Sequence, residues 1–135
     1  MEMSLEMVQH LISKAIEQAN SEFKRPICVA VCDHYGFLLA FTRMPGATIR
    51  SIPISQGKAY TAAFMGTNTD AFSERLNRDN VPASFFCDGH LTGLPGGVVL
   101  KDSEGVIVGG AGVSGLTPQE DQSIANMMAA ICQKA

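Results

Sequence analysis

The chain has 135 residues, 46% of them hydrophobic and 17% charged, enough apolar material to bury roughly two-thirds of its unfolded surface and far from a disordered or collagen-like composition. That length predicts a single domain over residues 1–135. Ten basic against thirteen acidic residues give a formal net charge of −3, which lacks the basic footprint a phosphate backbone requires, so no nucleic-acid partner is expected.

Leu5, Val8, Leu11, Ile12, Ala15, Ile16, Ala19 and Phe23 fall on one stripe at helical spacing, with Ser4 as N-cap and Pro26 as the stop. The unbroken apolar run 27–32 reads as a strand covered on both faces, and 37–41 as its hairpin partner. Asp33-His34-Tyr35-Gly36 between them has Asp first and Gly last, as a type I turn prefers. Residues 51–65 form a helix with Pro53 in its first turn, apolar around much of its circumference; a second cover, such as another subunit, is expected for it. Residues 69–76 read as a short helix and 77–97 as a glycine-rich loop. A second hairpin follows, 98–100 and 106–108 around Asp102-Ser103-Glu104-Gly105. Thr117-Pro118-Gln119-Glu120 then opens the last helix with a cap, a proline at its first position and a glutamate reaching back. Ile124, Met127, Met128 and Ile131 supply that helix's buried stripe. The pattern is α+β, in three layers with helices on both faces of an antiparallel sheet.

No apolar run approaches the roughly 18 residues of a membrane span, and the chain opens on Glu2 and Glu6 rather than a basic leader, so a cytoplasmic protein without membrane contact is expected. Cys28, Cys32, Cys87 and Cys132 are expected as reduced, buried thiols. On a strand Cys28 and Cys32 stand roughly 13 Å apart, too far to share a zinc ion.

Gly110-Ala111-Gly112-Val113-Ser114-Gly115 satisfies G-x-G-x-x-G, but the chain beyond it is used up by the last helix, leaving no second parallel strand and no acidic residue for a ribose. These glycines therefore read as a strand passing close to another backbone. Ser114 lacks the G-x-S-x-G context and has no downstream histidine. His10 falls opposite the apolar stripe of its helix and His34 in a turn, both positions where solvent exposure is the default. His90 lies in Cys87-Asp88-Gly89-His90-Leu91-Thr92-Gly93-Leu94-Pro95-Gly96-Gly97, where glycines admit a flat ligand and an imidazole can meet a metal; an ordinary loop histidine is the competing reading. Lys58 on the central helix is a candidate anion partner, or simply a surface residue.

Several stretches together resemble the GlcG-like, haem-binding or haem-degrading family and the C-terminal domain of PduO-type cobalamin adenosyltransferases. They are Val29-Ala30-Val31-Cys32-Asp33, Leu38 to Ala47, Lys58-Ala59-Tyr60-Thr61-Ala62-Ala63, Leu94-Pro95-Gly96-Gly97 and Val108 to Gly115. The resemblance implies a profilin-like domain with a five-stranded antiparallel sheet, assembled as a homo-oligomer. For function it implies an accessory protein that binds haem, or less directly a corrinoid, protective or linked to glycolate or diol metabolism. A haem-degrading enzyme and a ligand-free assembly subunit are the alternatives. From the chemistry of the residues themselves rather than from the resemblance, His90 is the expected metal ligand, Gly96 and Gly97 one wall of the site, and Lys58 the partner of a propionate.

Overall fold

The computed structural model describes residues 2–135. Helix α1 (Leu5–Gln18) opens as expected on Ser4, whose side chain accepts the Met7 N–H. It runs on into one wider turn over Ala19–Phe23 and ends at Lys24, whose left-handed backbone (φ 55°) stops it before Pro26. Strands β1 (Cys28–Asp33) and β2 (Leu38–Arg43) form the first hairpin, and β3 (Gly97–Lys101) and β4 (Ile107–Ser114) the second. Both turns are built alike. Asp33 Oδ1 accepts the N–H groups of Tyr35 and Phe37, Asp102 Oδ1 those of Glu104 and Val106, and Gly36 and Gly105 take the positive φ at each exit.

The sheet is antiparallel throughout in the order β2-β1-β4-β3. On one face Val29, Val31, Val98 and Leu100 pack with α1 and with α4 (Pro118–Lys134), and on the other Ala30 and Cys32 meet α2 (Ser51–Met65). That is the three-layer α+β arrangement, with one correction: the sheet has four strands, not five. The outer edge of β3 is occupied instead by the start of α3 (Thr69–Asp79), because Asn68 Oδ1 takes the Val99 N–H at 2.9 Å and Thr69 Oγ1 the Gly97 N–H at 2.7 Å. Side chains thus satisfy the donors that a fifth strand would have paired.

Helix α3 is also longer than expected, ending only where Asn80 turns left-handed (φ 54°), and 83–86 adds a single tight turn within the predicted loop. Helix α4 carries the anticipated capping box between Thr117 and Glu120. Its buried face is Ile124, Ala125, Met128 and Cys132, with Met127 and Ile131 only half-buried. Among the described residues no helix is long and apolar enough to cross a membrane.

The glycines of β4 do what a close backbone approach demands. A Cβ on Gly110 would lie 2.4 Å from the Ala59 carbonyl oxygen, and one on Gly112 would lie 2.1 Å from that of Ser55. Helix α2 therefore rests directly on β4, presenting its own small residues Ser55, Ala59 and Ala63.

Candidate functional site

An open cleft of about 410 Å³ lies between α2, the β1–β2 hairpin and the loop that leads toward β3. Pro53, Ile54 and Tyr60 come from α2, Leu38 from β2, and His90 and Leu91 from the loop. Its volume sits within the roughly 300–1,000 Å³ range of small-molecule sites, and its lining is mostly apolar.

The loop is tied to α2 at two points. Thr61 Oγ1 accepts the Thr92 N–H at 2.9 Å, and the Tyr60 hydroxyl donates to Asp88 Oδ2 at 2.5 Å. Leu91 is buried between these anchors, and the loop backbone lies in ordinary contact with Gly57. Asp88 also accepts the His90 backbone N–H at 2.9 Å and faces its Nδ1 at 3.3 Å, both through Oδ1. The Tyr60 hydroxyl, then the His90 backbone N–H, hold the Asp88 carboxyl below the usual carboxylate range; the same hydrogen bond to Asp88 pushes Tyr60 up. His90 stands at the cleft mouth with its side chain 82% exposed, its ring 5.4 Å from that of Tyr60.

The residues expected to accompany His90 are elsewhere. Lys58 is buried on the sheet side of α2, where its Nζ donates to the Val113 carbonyl at 2.9 Å and to Asp121 Oδ2 at 3.0 Å. Both charges are taken up by that pair, so the ammonium is not presented to the cleft. Gly96 is bare because the same pair needs the room, a Cβ there lying 2.7 Å from Lys58 Nζ and 2.9 Å from the Asp121 Cβ, whereas Gly97 is bare because the α2 backbone passes over it, a Cβ there lying 2.5 Å from the Lys58 carbonyl oxygen and 2.7 Å from the Thr69 methyl. Neither glycine lines the cleft. His10 and His34 are exposed and apart from it.

Two members of the site carried no assigned role in the sequence, Tyr60 and Asp88. Asp88 had a local signal, since an aspartate two residues before a histidine can bond that residue's backbone. Tyr60 had none, because the Asp88 carboxylate it meets lies 28 positions further along the chain.

At the floor of the cleft, the Cys32 thiol donates to the Ala59 carbonyl, and burial pushes its pKa up to about 12. It therefore supplies neither a nucleophile nor a thiolate ligand at neutral pH. Cys28 and Cys132 are buried too, whereas Cys87 is exposed, against expectation. A thiol reagent such as Ellman's is expected to modify Cys87 rapidly in the native protein and the other three only on unfolding. Rapid modification of a second thiol would contradict this packing.

Residues 3–130 match the family of haem degrading, HbpS-like proteins, and the chain belongs to that family. Protein GlcG of Escherichia coli (strain K12) is 36% identical over 112 residues, covering 83% of this chain and 81% of GlcG. The corrinoid adenosyltransferase PduO of Salmonella typhimurium is 29% identical over 120 residues, which is 86% of this chain but 35% of PduO, so the chain spans little more than a third of that relative. Among solved structures, the PduOC:heme complex superposes with a TM-score of 0.87 at 27% identity, over 96% of this chain and 94% of that one.

Proposed function

We propose that the protein is an accessory factor that binds haem in the cleft beside α2, with His90 Nε2 as the iron ligand. The observation that carries the reading is an imidazole at the mouth of a mostly apolar cleft, backed through its other nitrogen by a carboxylate. That is the arrangement metal-ligating histidines adopt. Membership of a haem degrading family and the likeness to a haem complex support it.

The residues present fit the group. Leu38, Pro53, Ile54 and Leu91 offer apolar faces to a macrocycle, and Gly89 leaves the approach to His90 open, with nothing within 4 Å of where a Cβ would stand. Bound haem would bring redox chemistry at iron. The chain's own part is to hold the imidazole, shield one side of the ring and keep the Cys32 thiol protonated. A corrinoid is the lesser reading, since it rests on PduO, of which the chain covers only 35%.

The same reading includes a single cytoplasmic domain that works as a homo-oligomer. Phe37, Leu38 and Leu39 are exposed at or beside the free edge of β2, and Phe64 is exposed on α2, stacked on Tyr60 at 5.4 Å. Exposed apolar side chains around a free strand edge are what self-association covers.

Titration of the protein with haemin, followed through the Soret band, tests the assignment. A shifted band is expected, with loss of that shift in His90→Ala. A band no different from free haemin, or one indifferent to His90→Ala, overturns it. Reductant-dependent loss of the band with release of iron would instead place the protein among haem-degrading enzymes.

A further inference from the structure

We propose that Asp88, itself held by Tyr60, is a positioning residue that fixes His90 in the Nδ1–H tautomer and so leaves the lone pair on Nε2. An ionised carboxylate can only accept hydrogen bonds, so a favourable contact between Asp88 Oδ1 and His90 Nδ1 at 3.3 Å requires the proton to sit on Nδ1. In the neutral ring the lone pair is then on Nε2.

The carboxylate is not free to swing away. Oδ1 is also engaged by the His90 backbone N–H at 2.9 Å, and Oδ2 by the Tyr60 hydroxyl at 2.5 Å. Tyr60 is in turn immobilised. Gly36 packs so tightly on its ring that a Cβ there would lie 2.6 Å from the ring carbon Cδ2, and Phe64 stacks on the ring at an interplanar angle of 10°. Asp88 is half-buried, with its side chain 20% exposed, whereas the imidazole it steers is 82% exposed. A solvent-facing imidazole without this partner would have little to select its tautomer or its rotamer. The β1–β2 turn, helix α2 and the 88–90 loop thus converge on one proton position.

The consequence for iron binding rests on the reading of His90 as the haem ligand, but the tautomer is a property of the free protein and is measured there. Long-range ¹H–¹⁵N correlation spectra, taken above the imidazole titration range and assigned with His90→Gln, report which ring nitrogen carries the proton. In the native protein Nδ1 of His90 is expected to be the protonated nitrogen. In Asp88→Asn the side-chain amide can donate to Nδ1 as readily as its oxygen can accept, so the preference is expected to collapse. Tyr60→Phe keeps the ring packing and frees the carboxylate, so it is expected to shift the ratio the same way by less. Backbone amide spectra of both variants show whether the fold is kept.

Haemin affinity is expected to fall about 10- to 100-fold in Asp88→Asn, with the Soret position unchanged. A native His90 protonated mainly on Nε2, or a tautomer ratio equal in the native protein and a folded Asp88→Asn or Tyr60→Phe variant, overturns the inference. If the tautomer responds but the Soret band ignores His90→Ala, the positioning role stands and the haem assignment falls.

Discussion

Lys58→Met is expected to lower the stability of the protein at neutral pH by about 3–5 kcal/mol, the cost of leaving one member of a buried ion pair without its partner. Asp121 is left by that change in a low-dielectric site, its remaining hydrogen bond being from the Leu116 N–H at 3.0 Å. In the native pair, burial already pulls Lys58 down and pushes Asp121 up, in each case against the pull of the partner's charge. Both shifts favour the neutral forms, so removing the ions from water costs more than their attraction returns.

Two outcomes follow from that balance. First, the double variant Lys58→Met/Asp121→Asn is expected to recover to within about 1 kcal/mol of the native protein, because no unpaired charge remains and the amide oxygen introduced at that position can still accept from Leu116. Second, the single variant strengthens the response of this site to acid, because losing Lys58 removes what holds the Asp121 pKa down against burial. A carboxyl whose folded pKa lies above its unfolded value binds its proton more tightly in the native state. Its contribution is therefore favourable below the unfolded pKa and is lost as pH rises through the folded one. The deficit of Lys58→Met relative to the native protein should therefore shrink as pH falls through the carboxyl range. Urea unfolding at a series of pH values checks both; a single variant as stable as the native protein, or a double variant no better than the single, would sink the account.

The same pair shows where sequence reading ends. The hairpins and helix starts were legible because their chemistry is local: Asp33 with Gly36, Asp102 with Gly105, and Thr117 with Glu120 each act within a few residues. The glycines of β4 were also legible, as a close backbone approach rather than a nucleotide loop. Lys58 was not, because what buries it is Asp121, 63 positions away. On its own helix it has only apolar and small neighbours, and a lysine there reads as surface. Gly96 and Gly97 misled for a similar reason, the bareness of the first serving that pair and of the second the close passage of the α2 backbone and Thr69, not a flat ligand. The fifth strand implied by family resemblance is excluded by two side chains, Asn68 and Thr69, whose hydrogen bonds to β3 reach across 31 and 28 positions. Of the site, His90 was found through its glycine-rich loop, while Tyr60 needed the folded contact to Asp88 to acquire a role.

The packing of α2 on β4 gives the other large effect, since the helix that carries Tyr60 and lines the cleft rests on Gly110 and Gly112. Gly112→Ala would place a methyl carbon 2.1 Å from the Ser55 carbonyl oxygen and 2.6 Å from the Ala59 nitrogen. Both are backbone atoms within one helix, so no side chain can rotate aside; the whole helix has to rise. Inserting even one methyl group into a packed interior costs typically 1–3 kcal/mol, and with backbone on both sides the cost is expected at the upper end, about 3 kcal/mol or more. Gly105→Ala is the instructive contrast: nothing lies within 4 Å of its Cβ, and the penalty there is confined to its positive φ of 82°. Lifting α2 also moves Tyr60 relative to Asp88, so a Gly112→Ala protein that still folds should bind haemin more weakly, whereas Gly105→Ala should leave binding intact. Thermal unfolding and haemin titration of the two variants measure this directly, and equal stability for both would mean that α2 is not seated on β4 as tightly as these distances require.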